Sequence, residues 1–308
     1  MHSLTVFTPT YNRAHTIWRT YESLCRQTSK EFEWLVIDDG STDNTRSLVA
    51  SWLVHHQDDL GTVFEGQCEA GFKIKYIWKE NGGLHTGYNT AYANIDTDLC
   101  VCIDSDDWMP DDAVDKILKC WTQKGGNQYA GIMGLDFDTK GNPLGGYFPE
   151  DLAETYFLDI YIKNIHRADT KEVMRTDLMK KVAPQIGFEG EKNFNPVYML
   201  LQVCDDYPLL VLNENLCIVE YQQDDSMSRS IYRQYLNSPR SFAKLRLLEM
   251  QLKRNTFKNR FRSAIHYVSS CILAKDKMWL KNTPSKLLVM IAAPIGLALS
   301  MFIKHKAG

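Results

Sequence analysis

The stretch LCVCIDSDD, residues 99–107, decides how this chain is read. Leu99–Asp104 is a short run of apolar and β-branched residues that ends abruptly in carboxylates, Asp104, Asp106 and Asp107. Such a run, too short for a typical helix, reads as a strand whose polar end is exposed. Working outward, the same form recurs at Leu4–Thr8, Trp34–Asp38 and Ile74–Trp78, each followed within a few residues by helical spacing. The helices are expected at Ala14–Arg26, Asp43–His56, Thr86–Ile95 and Asp111–Gln123, the last opening just after Pro110. Strands alternating with helices imply a parallel sheet, and ligands of such sheets lie beyond the carboxyl ends of the strands.

Polar residues collect at those ends: Thr8–Arg13 after the first strand, Asp38–Ser41 after the second, Asn81–Gly83 after the third and Asp104–Asp107 after the fourth. Acidic clusters brought together raise one another's pKa unless a cation intervenes. A divalent metal is therefore expected, and carboxylate oxygens suit Mg²⁺ or Mn²⁺, which commonly bind one or two carboxylates plus substrate phosphates. At the strand terminus, one of Asp104 and Asp106 is free to reach a metal while the other holds a sugar hydroxyl. By itself a D-x-D is a common loop pattern.

Four stretches together are far more specific: TPTYNR (8–13), VIDDGSTDNT (36–45), ENGGLHTGYNTAYA (80–93) and DSDD (104–107). In order and spacing the chain resembles the family 2 glycosyltransferases, over roughly its first 110 residues. The resemblance implies an α/β GT-A fold, a Rossmann-like, mostly parallel central sheet flanked by helices, here with a C-terminal helical extension. It also implies a nucleotide-sugar donor, a divalent metal (Mn²⁺ or Mg²⁺) and inversion at the anomeric carbon. Carried over by position, it gives Thr8 and Pro9 as backbone walls of the nucleotide pocket, with Tyr11 beside the base and Arg13 in the donor site. Asp38 or Asp39 would accept from the base imide, which favours a UDP-linked donor. Asn81, Gly82 and Gly83 would admit close backbone approach, with Asp104 and Ser105 by the ribose and Asp106 on the metal together with Asp104. Many relatives have a basic residue where this chain has Leu84 and His85; His85 is expected either to touch the donor or to cap a helix.

An inverting transfer needs a base for the acceptor hydroxyl. The segment FEGEK, 188–192, precedes a helix-like run near Pro196–Cys204, and relatives place an acidic residue there; Glu191 is the first expectation and Glu189 the reserve, a solvated surface turn being the alternative. Asp169 is a further acceptor-side candidate, and Arg229, in the stretch Asp224–Arg229, is expected to hold phosphate oxygens as part of a loop over the donor. A catalytically silent nucleotide-sugar-binding or scaffold protein is the rival reading. A nucleotidyltransferase is disfavoured, because the glycine-rich, basic phosphate loop expected near its N-terminus is missing.

The net charge of −3 over 308 residues conceals a division near Ser228. Residues 229–308 hold 16 Lys and Arg against Glu249 and Asp276, a net of +14, leaving 1–228 at −17. We therefore expect a catalytic domain at 1–228 and a basic helical membrane-association region at 229–308, helical almost throughout with breaks near Asn255 and Asn282. Leu287–Ile303 is 17 residues without charge, flanked by Lys286 and by Lys304-His305-Lys306. A helix of that length reaches about 26 Å, short of the ~30 Å hydrocarbon core, and contains Pro294 and Gly296. Basic residues at both ends disfavour a simple span. An interfacial or re-entrant anchor on an anionic membrane is expected ahead of a span or a helix folded back on the body. An uncharged stretch has no use against phosphates, so nucleic acid is not the expected partner. The acceptor is then expected to be a glycan or lipid-linked sugar presented at the inner face of the cell membrane, in cell-surface polysaccharide assembly. The first residues lack a basic n-region followed by an apolar stretch, so a cytoplasmic location and eight reduced cysteines are expected.

Overall fold

A computed structural model describes residues 4–55, 61–220 and 231–307. The first half runs β1 (Leu4–Thr10), α1 (Ile17–Arg26), β2 (Phe32–Asp38), α2 (Thr45–Ala50), β3 (Val63–Gln67), β4 (Lys73–Trp78), α3 (Leu84–Asn94), β5 (Leu99–Cys102) and α4 (Ala113–Lys124). There follow β6 (Gly131–Phe137), β7 (Glu154–Thr155), α5 (Phe157–Ile162), β8 (Thr170–Arg175), α6 (Thr176–Val182), α7 (Val197–Cys204) and β9 (Leu209–Ile218). The C-terminal part is α8 (Ile231–Asn237), α9 (Pro239–Gln251), α10 (Phe257–Leu273), α11 (Trp279–Asn282) and α12 (Lys286–Ala307).

The strands form one sheet in the order β3-β4-β2-β1-β5-β8-β6-β9-β7. Its first half is parallel as the β/α alternation predicts: β1 lies between β2 and β5, and β2 pairs with β4. Thr10 is in register with Asp38 and Asp38 with Trp78, so the four polar loops leave the sheet along one edge. Beyond β5 the sheet is mixed. β8 runs antiparallel to both β5 and β6, pairing Val101 with Val173 and Leu135 with Thr170. That reversal brings the start of β8 and the end of β6 to the edge where Asp104 leaves β5.

Apolar side chains fill both faces of the sheet, among them Trp34, Tyr76, Phe72 and Ile37. Burying each such side chain contributes roughly 1.5–3 kcal/mol. Tyr21 stacks on Trp52 with ring centroids 4.1 Å apart, joining α1 to the chain after α2. The polar insertion before β4 contains the edge strand β3, which pairs antiparallel with β4 and was not expected. Leu209–Leu212 and Cys217–Ile218 belong to one strand: β9 absorbs polar Asn213, Glu214 and Asn215 through register irregularities opposite Met133–Asp136. All eight cysteines are free thiols.

The expected boundary at 228 falls outside the described residues. Helices α10 and α12 enclose a small core of their own (Ala264, Tyr267, Val268, Cys271, Val289, Ala292), while Leu245 of α9 and Leu252 just after it pack into the core of the sheet. The helical part is thus continuous with the body through α9. One stripe of α12 (Val289, Ala292, Gly296, Ser300, Ile303) is buried, and a Cβ on Gly296 would stand 2.6 Å from Val268 Cβ, so the glycine lets the two helices touch. The other side exposes Leu287, Met290, Ile291, Ile295 and Met301. By length and composition α12 is apolar enough to cross a membrane.

Candidate active site

A cavity of about 980 Å³ opens along the edge where the strands end. From the predicted residues it is lined by Pro9, Tyr11, Arg13, Asp39, Asn81, Gly83, Asp104, Ser105, Asp106 and Asp169. Thr10, Asp107 and Lys192, which lie in the quoted stretches without an assigned role, also line it, as do Asp136, Lys171 and Glu172, which no stretch contains.

Much of the motif sequence ties the loops to one another. Asn12 adopts a left-handed backbone (φ 54°), and its Oδ1 accepts from the backbone N–H groups of Thr42 (2.8 Å) and Asp43 (3.3 Å), while Ser41 Oγ accepts from Asn12 N–H at 2.8 Å. Asn and Gly tolerate such angles where other residues are strained. Gly40 (φ 87°) passes so near the third loop that a Cβ would lie 2.8 Å from Asn81 N. Asn81 Nδ2 donates to the carbonyl of Asp39 at 2.8 Å.

The adjacent aspartates divide their work. Asp38 is fully buried, accepts from Tyr76 Oη and from Ser41 N–H (2.7 Å), and does not reach the cavity. Burial and the neighbouring Asp38 push the Tyr76 phenol well up, so it stays a donor. Asp39 faces the cavity; its carboxylate accepts from Gly82 N–H (3.0 Å) and Gly83 N–H (2.8 Å) and pairs with Lys79. Strand residues alternate sides, so of two neighbours only one faces a given way. Gly83 (φ 93°) caps α3 and packs against the 190s segment: a Cβ there would fall 2.0 Å from Lys192 O.

Three other expectations are corrected by position. Thr8 is buried, its Oγ1 accepting from Trp34 Nε1 at 3.0 Å, and is not a cavity wall. His85, in the first turn of α3, turns away from the cavity toward Phe194 and Gly187. Burial holds its imidazole below the ordinary value, so it is neutral at pH 7 and brings no charge to a diphosphate. Gly82 serves through its N–H on Asp39 and does not face the cavity. Arg229 lies outside the described residues.

Glu191 is the largest correction. It is 6% exposed and absent from the cavity wall. Its Oε1 accepts from Arg240 N–H and Arg240 Nε, both at 3.0 Å, and its Oε2 from Ser241 N–H and Ser241 Oγ, both at 2.7 Å. Those N–H groups belong to the first turn of α9, where a helix has free donors and the positive end of its dipole. Both oxygens are thus turned toward α9 and away from the cavity. Glu189 does not line the cavity either; its carbonyl accepts from Arg240. Contacts 50 residues apart in the chain gave no sequence signal for this capping role.

On the cavity floor, Asp104 is reachable by solvent yet closely enclosed, and burial together with Asp106 pushes its carboxyl up against the opposing pull of Lys171. Asp107 is buried and pushed up to about 8 by burial and by Asp104, Asp106 and Asp136, Lys171 again opposing. Burial alone would lower Lys171; Asp136, Cys217, Asp107 and Asp104 outweigh it and keep the ammonium charged. Glu172 is pushed up to about 7 by burial, although Thr170 Oγ1 donates to it at 2.5 Å.

The donor set at Asp104 and Asp106 fits a hard divalent cation. Both carboxylates line the cavity, and no hydrogen bond to Asp106's carboxylate occurs among the described residues. Among those residues no three carboxylate, imidazole or thiolate side chains converge on one point, so the chain would supply one or two ligands and leave the rest to phosphate and water.

A parallel half-sheet with acidic loops at its carboxyl edge and a cavity across them defines an α/β protein built to hold a polar ligand at that edge. The model of Glycosyl transferase family 2 matches residues 5–182, and the chain belongs to that family. Similar proteins include Glycosyltransferase GlyA of Streptococcus pneumoniae, 31% identical over 38% of this chain, and Validoxylamine A glucosyltransferase of Streptomyces hygroscopicus, 38% identical over 30% of it. These matches span only 14% and 21% of the relatives' own lengths. Among solved structures, S. aureus TarS in complex with UDP-GlcNAc superposes with a TM-score of 0.59 at 17% identity, over 94% of this chain and 79% of that one. The mannosyltransferase PcManGT of Pyrobaculum calidifontis, in complex with GDP-Man and Mn²⁺, gives 0.54 at 15% identity, over 99% and 76%. The fold is thus that of GT-A glycosyltransferases.

Proposed function

We propose that the protein transfers a sugar, with inversion, from a nucleotide-sugar donor to a hydroxyl of a glycan or lipid-linked acceptor. The observation that carries this reading is the alignment along one cavity of Tyr11, Arg13 and Asp39 at one end with Asp104, Ser105 and Asp106 at the next strand terminus. Tyr11, 49% exposed, offers a ring to a base; Arg13 offers charge to a diphosphate; Asp104 and Asp106 would hold Mn²⁺ or Mg²⁺. Such an ion, when bound, offsets the charge of the departing diphosphate. The complexes of TarS with UDP-GlcNAc and of PcManGT with GDP-Man and Mn²⁺ support this choice of ligand class.

With Glu191 committed to α9, the base falls to a carboxylate that faces the cavity. Asp169 suits the role: it is exposed, stands at the start of β8 and lines the cavity, whereas Glu172 is hydrogen-bonded to Thr170 and Glu220 is paired with Arg19. It would accept the acceptor's proton as the hydroxyl attacks the anomeric carbon. The test is a thermal-shift and hydrolysis panel of UDP-glucose, UDP-N-acetylglucosamine, UDP-galactose and GDP-mannose with MnCl₂. One donor should stabilise the protein and be turned over, and Asp106→Ala should abolish both. Binding of a donor with no turnover under any condition would favour the silent-scaffold reading.

The C-terminal helices we assign to an anionic membrane surface, which would set the protein at the cytoplasmic face in cell-surface polysaccharide assembly. The exposed apolar stripe of α12 is flanked by Lys286, Lys304 and Lys306, the composition of a helix lying in the interface. The opposite stripe is occupied by α10, which favours that geometry over a span. High-pH carbonate should therefore release the protein from membranes; retention in the pellet would argue for deep insertion.

A further inference from the structure

We propose that Asp136, braced by Lys171, is a binding residue for a sugar hydroxyl in the second half of the cavity. The inference rests on the glycosyl-transfer reading above and adds a contact from β6 that no motif marks. Asp136 is the penultimate residue of the fully buried β6 and is itself 2% exposed, yet lines the cavity. Its Oδ1 is closed off from the cavity and faces Lys171, while Oδ2 is not so enclosed and receives no hydrogen bond from any described residue. Lys171, on the neighbouring strand β8, holds its ammonium 3.7 Å from Oδ1, near enough to balance charge and too far to donate a hydrogen bond. Lys171 thus takes up Oδ1, whereas a carboxylate oxygen at this depth without a donor is costly, and nothing among the described residues supplies one to Oδ2.

The missing donor belongs to a ligand, and the surroundings select its chemistry. A second cation at Asp136 would lie close to the Lys171 ammonium. A phosphate would meet Asp136, Asp104 and Asp107 together, since all three act on the same enclosed floor. A neutral O–H satisfies the oxygen with neither penalty, and a charged acceptor makes that bond stronger than one between neutral groups. A pyranose presents such hydroxyls, with apolar C–H faces that suit Phe157 and Tyr161 on the same wall. The hydroxyl belongs either to the transferred sugar or to the acceptor sugar, and two measurements separate them.

Wild type, Asp136→Ala and the isosteric Asp136→Asn are titrated with UDP and with UDP-N-acetylglucosamine in MnCl₂, and assayed for transfer to octyl β-glucoside. Circular dichroism confirms that at least the Asn variant is folded. If the contact is to the donor, the variants lose at least tenfold in affinity for UDP-N-acetylglucosamine with UDP unchanged. If it is to the acceptor, both titrations stay as in wild type and the KM for octyl β-glucoside rises at least tenfold with kcat within about twofold. Variants that match wild type in both measurements overturn the assignment of Asp136 while leaving glycosyl transfer standing. Wild-type protein that neither binds nor hydrolyses any sugar nucleotide of the panel overturns the glycosyl-transfer reading, and this inference with it.

Discussion

Removing the Glu191 carboxylate tests the division between folding and chemistry most directly. In Glu191→Ala, two N–H groups of the first turn of α9, the Ser241 hydroxyl and the Arg240 guanidinium lose their acceptor together. Hydrogen bonds to a charged group contribute about 1.5–3 kcal/mol each when counted singly, and those made by one carboxylate do not add. Arg240 is 46% exposed and regains water, whereas the Ser241 groups are buried and do not. The loss should come to about 3–5 kcal/mol, the range for removing one partner of a buried charged pair. For a chain of 308 residues that is roughly 5–8 °C in Tm. Glu191→Gln keeps shape but turns one oxygen into a donor facing donors, so it should also destabilise, by about 2 kcal/mol. The assay is urea unfolding followed by circular dichroism, beside donor hydrolysis well below the transition. A Glu191→Gln protein with an unchanged urea midpoint and transfer reduced a hundredfold or more would refute the capping argument and restore Glu191 as the base.

Three further outcomes follow from the geometry. Gly83→Ala requires a side chain in glycine's backbone region and a Cβ 2.0 Å from Lys192 O, so it should cost about 3 kcal/mol and weaken donor binding in a titration, because the Gly83 N–H that holds Asp39 is displaced. Unchanged stability and affinity would contradict it. Burial, with Arg246 and Arg262 adding, lowers His266 to about 4, so the unfolded chain binds the extra proton. Stability should therefore rise as pH increases from about 4 to 6.5, by at most ~3 kcal/mol, and His266→Gln should flatten that slope in urea titrations at several pH values. Gly296→Leu overfills the contact between α10 and α12 and should cost about 1–3 kcal/mol, read as a loss of Tm without loss of donor affinity.

The first half of the fold was legible because its signals are local. Four apolar runs, each with a polar end and a helical sequel, set β1, β2, β4 and β5, and their motifs mark the edge where the cavity lies. The later strands left weaker traces. β8, Thr170–Arg175, runs three polar residues, then valine and methionine, then arginine, without alternation, and its place between β5 and β6 depends on partners some 35 to 75 residues away. The insertion strand β3 pairs at an edge, half exposed, with only Phe64 fully buried, and so carries little periodicity.

What the sequence determined by itself was the α/β half-sheet, the family and the loops that meet a ligand, since each rests on residues adjacent in the chain. The charge division between body and tail was likewise present in the sequence alone. The role of each carboxylate was decided only by the tertiary structure. Asp38 and Asp39 differ by one strand position, yet one binds Tyr76 and the other the cavity edge. Glu191 reads as a surface acid until α9 folds back upon it, and Asp136 is unmarked until β8 reverses and sets Lys171 beside it. An aspartate or glutamate carries the same chemistry wherever it stands; the donors that reach its oxygens come from distant parts of the chain, and only folding brings them there.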